Sequence, residues 1–117
     1  MLRAYLLVVG GALLVQGASS LVLHELLSVN LAPLHGFLTT DDRHAALHVV
    51  WGVILLAVTV RPPREQRLVG LVFGVFYVAL GVLGFLVHDP FGLQLGWGEN
   101  VFHLVIGPLA LGFALLA

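Results

Sequence analysis

Four apolar runs that contain no Asp, Glu, Lys or Arg constrain this chain more than any other feature of its sequence. They are residues 4–23, 44–60, 68–87 and 101–117. A helix that crosses the hydrocarbon core of a bilayer needs about 20 apolar residues, within a range of about 17–25. Each run therefore predicts a transmembrane helix. The predicted fold is all-α, a single four-transmembrane-helix bundle over residues 1–117.

The composition excludes several classes of protein. The chain is 60% hydrophobic and 9% charged, with a mean hydropathy of +1.08. Since a soluble domain carries roughly 25% charged residues, a soluble globular enzyme is excluded. A nucleic-acid-binding protein is excluded too, because the chain has only five basic residues and no basic patch. The absence of cysteine rules out disulfides, iron–sulfur clusters and thiolate zinc sites.

The distribution of charge predicts an orientation. Four of the five arginines lie at position 3 or within residues 61–67. By the positive-inside rule both places are cytoplasmic, and both termini are predicted to be cytoplasmic with them. The other two linkers are predicted to face outward and hold the acidic residues Glu25, Asp41, Asp42, Asp89 and Glu99. One alternative is a cleavable signal peptide at the amino end, because an apolar run precedes the small residues Gly17–Ser20.

Glycine and histidine positions indicate that one helical hairpin occurs twice. Residues spaced by seven open each copy: Gly10, Gly17 and His24, then Gly74, Gly81 and His88. The next helix of each copy carries His-x-x-x-Gly: His48 to Gly52, then His103 to Gly107. We therefore predict parallel repeat halves over residues 4–60 and 68–117, with glycine faces that let helices pack closely. A signal peptide would have no reason to match the third helix.

All six histidines lie in or beside the outward-facing linkers, so any chemistry is predicted there. His24, His48, His88 and His103 lie near the outer ends of the four helices, and His44 and Glu99 lie one turn from two of them. A layer of imidazoles and a carboxylate suits a divalent metal such as Zn or Cu. The predicted metal ligands are His24, His44, His48, His88, His103 and Glu99. Haem bound by two histidines is a further alternative, as is a layer that only pins the outer loops.

The functional prediction is a non-enzymatic accessory or scaffold protein of the membrane, with no catalytic residue. No charged residue lies at mid-membrane, where pumps and ion-coupled transporters keep their relays. Two alternatives stay open: a metal-binding membrane protein, and a membrane enzyme that acts on a lipid or a quinone. The expected partners are the bilayer and either a membrane protein or a second copy of the chain, with no nucleic acid.

Two segments carry a resemblance to known proteins. Residues 100–107, Asn-Val-Phe-His-Leu-Val-Ile-Gly, and residues 73–77, Phe-Gly-Val-Phe-Tyr, resemble a family of small four-helix prokaryotic membrane proteins of unknown function. The resemblance covers residues 40–117 and, more loosely, the first helix. It implies the four-helix fold and a place in a prokaryotic cytoplasmic membrane. The first copy of the repeat departs from the pattern, because Ala45 stands where Asn is expected.

Overall fold

The fold is all-α, as predicted. The computed structural model describes residues 1–28, 41–87, 93 and 96–117, and 88% of these residues are helical. The four helices are α1 (Leu2–Leu21), α2 (Asp42–Val58), α3 (Pro63–Leu86) and α4 (Trp97–Leu116). A π-helical turn, Val22–Leu26, extends α1. No strand occurs among these residues.

All four helices begin earlier than the apolar runs predict, and α3 and α4 differ most from their predicted starts. α3 begins at Pro63 and α4 at Trp97, whereas the predicted starts are residues 68 and 101. Proline is well suited to the first turn of a helix, where its missing N–H costs no hydrogen bond. The polar residues that follow join the helix: Arg61 donates two hydrogen bonds to the Glu65 carboxylate, at 2.7 and 3.1 Å. Hydropathy marks the part of a helix that suits lipid, and it misses such polar first turns.

Within the part of the chain that the structure describes, three stretches are long and apolar enough to cross a membrane: Leu2–Leu26, Pro63–Leu86 and Trp97–Leu116. α2 has 17 residues. The outward surfaces of the helices are apolar along their middle parts, for example at Val53, Val75 and Val105, each more than half exposed. A soluble protein rarely exposes so much contiguous apolar surface, whereas lipid tails tolerate it. The helices are therefore those of a membrane protein.

Glycines bring α1 and α2 into backbone contact. A Cβ atom added to Gly52 would lie 2.7 Å from the Leu14 backbone nitrogen and 2.8 Å from the Gly10 carbonyl oxygen. One added to Gly17 would lie 2.5 Å from the Ala45 carbonyl oxygen. Since the partner number falls along α2 as it rises along α1, the two helices are antiparallel. Only glycine permits this approach, which accounts for two of the predicted glycine positions.

The second hairpin packs in the same way. A Cβ atom on Gly74 would lie 2.9 Å from the Gly107 carbonyl oxygen, and one on Gly107 would lie 2.8 Å from the Val78 backbone nitrogen. Further along, Gly81 lies against the Leu104 side chain. α3 and α4 are therefore antiparallel as well. The two hairpins contain most of the interhelical contacts, and the contacts between the hairpins are fewer.

Polar side chains tie the helices together near one end. The Gln66 amide donates to the backbone carbonyls of Thr59, at 3.2 Å, and of Arg61, at 2.8 Å, which joins the end of α2 to the start of α3. Between the hairpins, the buried Tyr5 hydroxyl donates to the Ile106 carbonyl oxygen at 2.5 Å. These side chains donate hydrogen bonds to backbone carbonyl oxygens, which lipid tails cannot do.

The two ends of the molecule differ in chemistry. Both termini lie beside the start of α3. One surface depression is lined by residues from the two termini and from this first turn: 1, 3, 63, 66 and 117. We call this the arginine end, and it carries Arg3, Arg61, Arg64 and Arg67. The opposite end, where α2 and α4 begin, is called the histidine end.

Candidate metal centre

Three histidines from two helices meet inside the bundle at the histidine end. His44 and His48 lie four residues apart and therefore share one face of α2, and His103 lies on α4. The ring centroids of His44 and His48 are 4.4 Å apart, and that of His103 lies 5.3 Å from the first and 6.1 Å from the second. One ring nitrogen from each lies within 4.8 Å of the others. The three rings are thus close enough to hold one ion between them.

The three rings are deeply buried. Their exposed fractions are 1%, 2% and 0% for His44, His48 and His103. His48 and His103 each lie six residues after the first residue of their helix, or about 9 Å along the helix axis. The cluster is therefore an interior feature and not part of a solvated helix end.

Several buried polar atoms of the histidines and of two neighbouring residues, Tyr77 and Asn100, lack hydrogen-bond partners among the described residues. They are both ring nitrogens of His48, both of His103, the Tyr77 hydroxyl and the Asn100 Oδ1 atom. A buried polar group without a partner costs about 1–3 kcal/mol, and hydrocarbon offers it no water. Such a concentration of unsatisfied groups suits a site whose hydrogen bonds and coordinate bonds are completed by a ligand.

Tyr77 forms the floor of the cluster. Its ring centroid lies 4.9 Å from that of His103 and 6.4 Å from that of His48. Trp51 and Phe73 pack against Tyr77 in turn, with centroids at 6.4 and 4.7 Å. The imidazoles thus rest on an aromatic layer that separates them from the arginine end.

Asn100 lies one turn before His103 on α4 and is 3% exposed. Its side chain fills the space above Gly84 of α3, where an added Cβ would overlap the amide oxygen and lie 2.6 Å from Cγ. The glycine therefore makes room for a polar side chain next to the histidine. In the first hairpin the corresponding residue of α2 is Ala45, and no amide occurs there.

Comparison with known proteins gives a family and no activity. A family model described as "Domain of unknown function (DUF4383)" matches residues 3–116. The chain belongs to the DUF4383 family. This match confirms the resemblance to a family of small proteins of unknown function. Nothing among the curated proteins or the solved structures matches this DUF4383 chain.

His24 lies in a different cluster of side chains from His44, His48 and His103. Its Nδ1 atom lies 3.0 Å from Asp42 Oδ1 and 3.4 Å from Glu25 Oε1, and these three residues form a second, more exposed group. The structure therefore separates His24 from the three-histidine cluster.

The other predicted ligands have different outcomes. Glu99 is half-buried in the first turn of α4 and lines the same cavity as His48 and His103. His88 lies outside the described residues, as does His35. Among the predicted ligands that the structure describes, His44, His48 and His103 are the ones that meet.

Tyr77 and Asn100 were not predicted as site residues, although the sequence contains a signal for each. Tyr77 lies three residues after Gly74 and four before Gly81, so it shares their buried face. Asn100 lies three residues before His103 and shares a face with it. A polar residue on the buried face of an apolar helix is a candidate site residue.

Proposed function

We propose that this DUF4383 protein is an integral membrane protein that binds one transition-metal ion, Zn²⁺ or Cu²⁺, through His44, His48 and His103. The observation that carries the proposal is the convergence of three buried imidazoles, with one nitrogen from each within 4.8 Å of the others. Imidazole is a ligand that both metals favour. A tetrahedral ion with bonds of about 2.0–2.1 Å holds its ligand atoms about 3.4 Å apart, so small side-chain rotations would suffice.

Three imidazoles leave one position of a tetrahedral ion for another ligand. Zinc sites with three protein ligands and a water or substrate in the fourth position are reactive, whereas four protein ligands close the site. Glu99 shares a cavity with His48 and His103 and is the carboxylate we assign as the alternative to water. The Tyr77 hydroxyl and Asn100 amide are suited to orient the rings or a bound water through hydrogen bonds.

The proposed membrane architecture has four spans arranged as two parallel repeats. Its support is the equivalence of the close contacts, since Gly10 meets Gly52 in one hairpin and Gly74 meets Gly107 in the other. The three candidate spans account for three crossings. α2 supplies the fourth, since it packs antiparallel against α1 from Ala45 to Leu56 and its 17 residues reach about 25 Å.

The proposed orientation places the arginine end in the cytoplasm and the histidine end outside. Both termini and the basic segment at residues 61–67 lie at the arginine end, so a single orientation satisfies the positive-inside rule for all of them. The metal centre would then take its ion from the outer side. An accessory or scaffold role, a partner protein, a second copy of the chain and bound haem stay predictions.

Elemental analysis of untagged protein, purified without added metal, tests the proposal. We expect about one Zn or Cu ion per chain, because burial of three neutral imidazoles favours retention during purification. The substitution His48→Gln should lower this content by more than about tenfold.

The matched control is His24→Gln, which removes a histidine at the same end but from the other cluster. It should retain the metal. Circular dichroism and gel filtration of both variants check that they remain folded. Equal metal content in folded wild-type protein and folded His48→Gln, or metal loss from His24→Gln alone, would contradict the proposed centre.

A further inference from the structure

A cavity lies beside the three-histidine centre, between α1 and α4. Its volume is about 260 Å³. His48 and His103 form its inner wall, and α1 contributes Leu13 and Gln16. α1 and α4 belong to different hairpins and make far fewer contacts with each other than with their own partners. The cavity therefore occupies a loosely packed seam of the bundle.

In the proposed membrane arrangement, the seam between α1 and α4 faces lipid. Phe102, at the edge of the cavity, is 40% exposed, and Val101 and Val105 beside it on α4 are exposed and apolar. A molecule dissolved in the bilayer could enter the cavity here without passing through water, and a turn of the His48 and His103 side chains would bring their ring nitrogens to it. An occupant with an apolar tail would leave that tail between α1 and α4.

The lining combines apolar walls with a few hydrogen-bonding groups. His48 and His103 are 2% and 0% exposed, and their ring nitrogens have no hydrogen-bond partner among the described residues. Gln16 adds an amide, and Glu99 adds the one formal charge among the lining residues that the structure describes. Because these described lining residues include a carboxylate and no arginine, an anionic phosphate headgroup would be repelled. A neutral head with hydroxyl or carbonyl groups suits this lining.

The volume sets the size of the head. A dry cavity of about 150 Å³ accepts benzene, whereas pockets for drug-sized ligands occupy about 300–1,000 Å³. The cavity here is larger than the first and smaller than the second, so it accommodates one substituted six-membered ring. Phe102 offers an aromatic face for such a ring.

We propose that this cavity binds the ring of a neutral, lipid-soluble quinone or quinol, with the ring against His48 and His103 and its tail in the α1–α4 seam. With the ion bound, the remaining N–H group of each imidazole donates to a quinone carbonyl, which also accepts from the Gln16 amide, and quinol hydroxyls donate to the Glu99 carboxylate. The proposal rests on the proposed function in one respect, because His48 and His103 serve both the ion and the ring. The quinone is the class of ligand that would enter the cavity beside the metal centre.

Isothermal titration of the detergent-solubilised protein with decylubiquinone, and separately with its quinol, tests the proposal. We expect saturable binding of one molecule per chain. Gly98 lies at the cavity and an added Cβ there meets no described atom within 4 Å, so Gly98→Leu fills the space without forcing the described helices apart. This variant should weaken binding by about tenfold or more. Gln16→Leu should weaken binding of the quinone by about tenfold, because a hydrogen-bond donor is lost.

The matched control is Gly112→Leu, on the same helix and with the same open surroundings but away from the cavity. It should bind both probes as the wild-type protein does. Absence of saturable binding, or equal affinity in Gly98→Leu and Gly112→Leu, would overturn the proposal. Displacement of the bound quinone by an anionic phospholipid at equal concentration would overturn it in favour of a lipid site.

Metal content measured on the same samples separates the two proposals. Gly98→Leu should keep its ion while it loses the quinone. Quinone binding by a wild-type protein that contains no metal would contradict the metal centre and leave the cavity assignment standing. A metal-loaded protein that binds no quinone would overturn only the cavity assignment.

Discussion

Leucine in place of Gly52 is expected to prevent α1 and α2 from packing and to unfold the first hairpin. A Cβ atom at this position would lie 2.7 Å from the Leu14 backbone nitrogen and 2.8 Å from the Gly10 carbonyl oxygen. Both neighbours belong to the backbone, so no side chain can rotate away. Overpacking of a core costs about 1–3 kcal/mol, and we expect the upper part of this range or more. The unfolding midpoint in a fixed detergent measures the effect.

Two further variants make this result specific. Gly107→Leu occupies the equivalent position in the second hairpin, where an added Cβ would lie 2.8 Å from the Val78 backbone nitrogen, so it should destabilise the protein to a similar extent. In Gly112→Leu the added Cβ meets no atom of the described residues within 4 Å, so this variant should unfold near the wild-type midpoint. If Gly52→Leu proves as stable as Gly112→Leu, the backbone contact between α1 and α2 is absent in the protein.

Removal of the metal is expected to lower the stability of the protein strongly. A ligand present at about 1,000 times its dissociation constant stabilises the folded state by about 4 kcal/mol. Unfolding measured with Zn²⁺ and then with a chelator should show a difference of this order. The difference should shrink as the pH is lowered, because protons compete with the ion for the imidazole nitrogens.

The variant His48→Leu separates this linkage from ordinary packing. Its unfolding should not respond to Zn²⁺ or to the chelator. Without metal, it should be at least as stable as the wild-type protein, because an apolar side chain replaces two buried nitrogens that have no described partner. His24→Leu should keep the full response to Zn²⁺. A Zn²⁺ response in His48→Leu equal to that of the wild-type protein would contradict the linkage.

The helices could be predicted from sequence because lipid demands a simple pattern. Long charge-free runs have few alternatives to a membrane helix, and all four predicted helices occur in the structure. Glycines seven residues apart predicted close packing, and Gly10 and Gly17 do lie against the α2 backbone. The polar first turn of α3 was missed because its residues carry no hydrophobic signal.

The site was less predictable because it depends on which face of each helix is buried. His24 and His44 look equivalent as outer histidines, yet His24 lies within the π-helical turn and contacts Asp42, whereas His44 is 1% exposed and lies beside His48. Tyr77 is part of the cluster because it shares the buried face of α3 with Gly74 and Gly81. The sequence indicates that face, but not which side chains of the other helices it meets. Side-chain direction, rather than residue type, decides the composition of the centre.

X-ray absorption spectroscopy of the metal-loaded protein tests the central claim most directly. The account predicts a first shell that contains three imidazole nitrogens at about 2.0–2.1 Å for Zn²⁺, with one lighter oxygen or nitrogen ligand in the remaining position. His44→Gln should reduce the imidazole count by one, and His24→Gln should leave it unchanged. A shell of oxygen ligands without imidazole, or loss of an imidazole only in His24→Gln, would contradict a centre built from His44, His48 and His103.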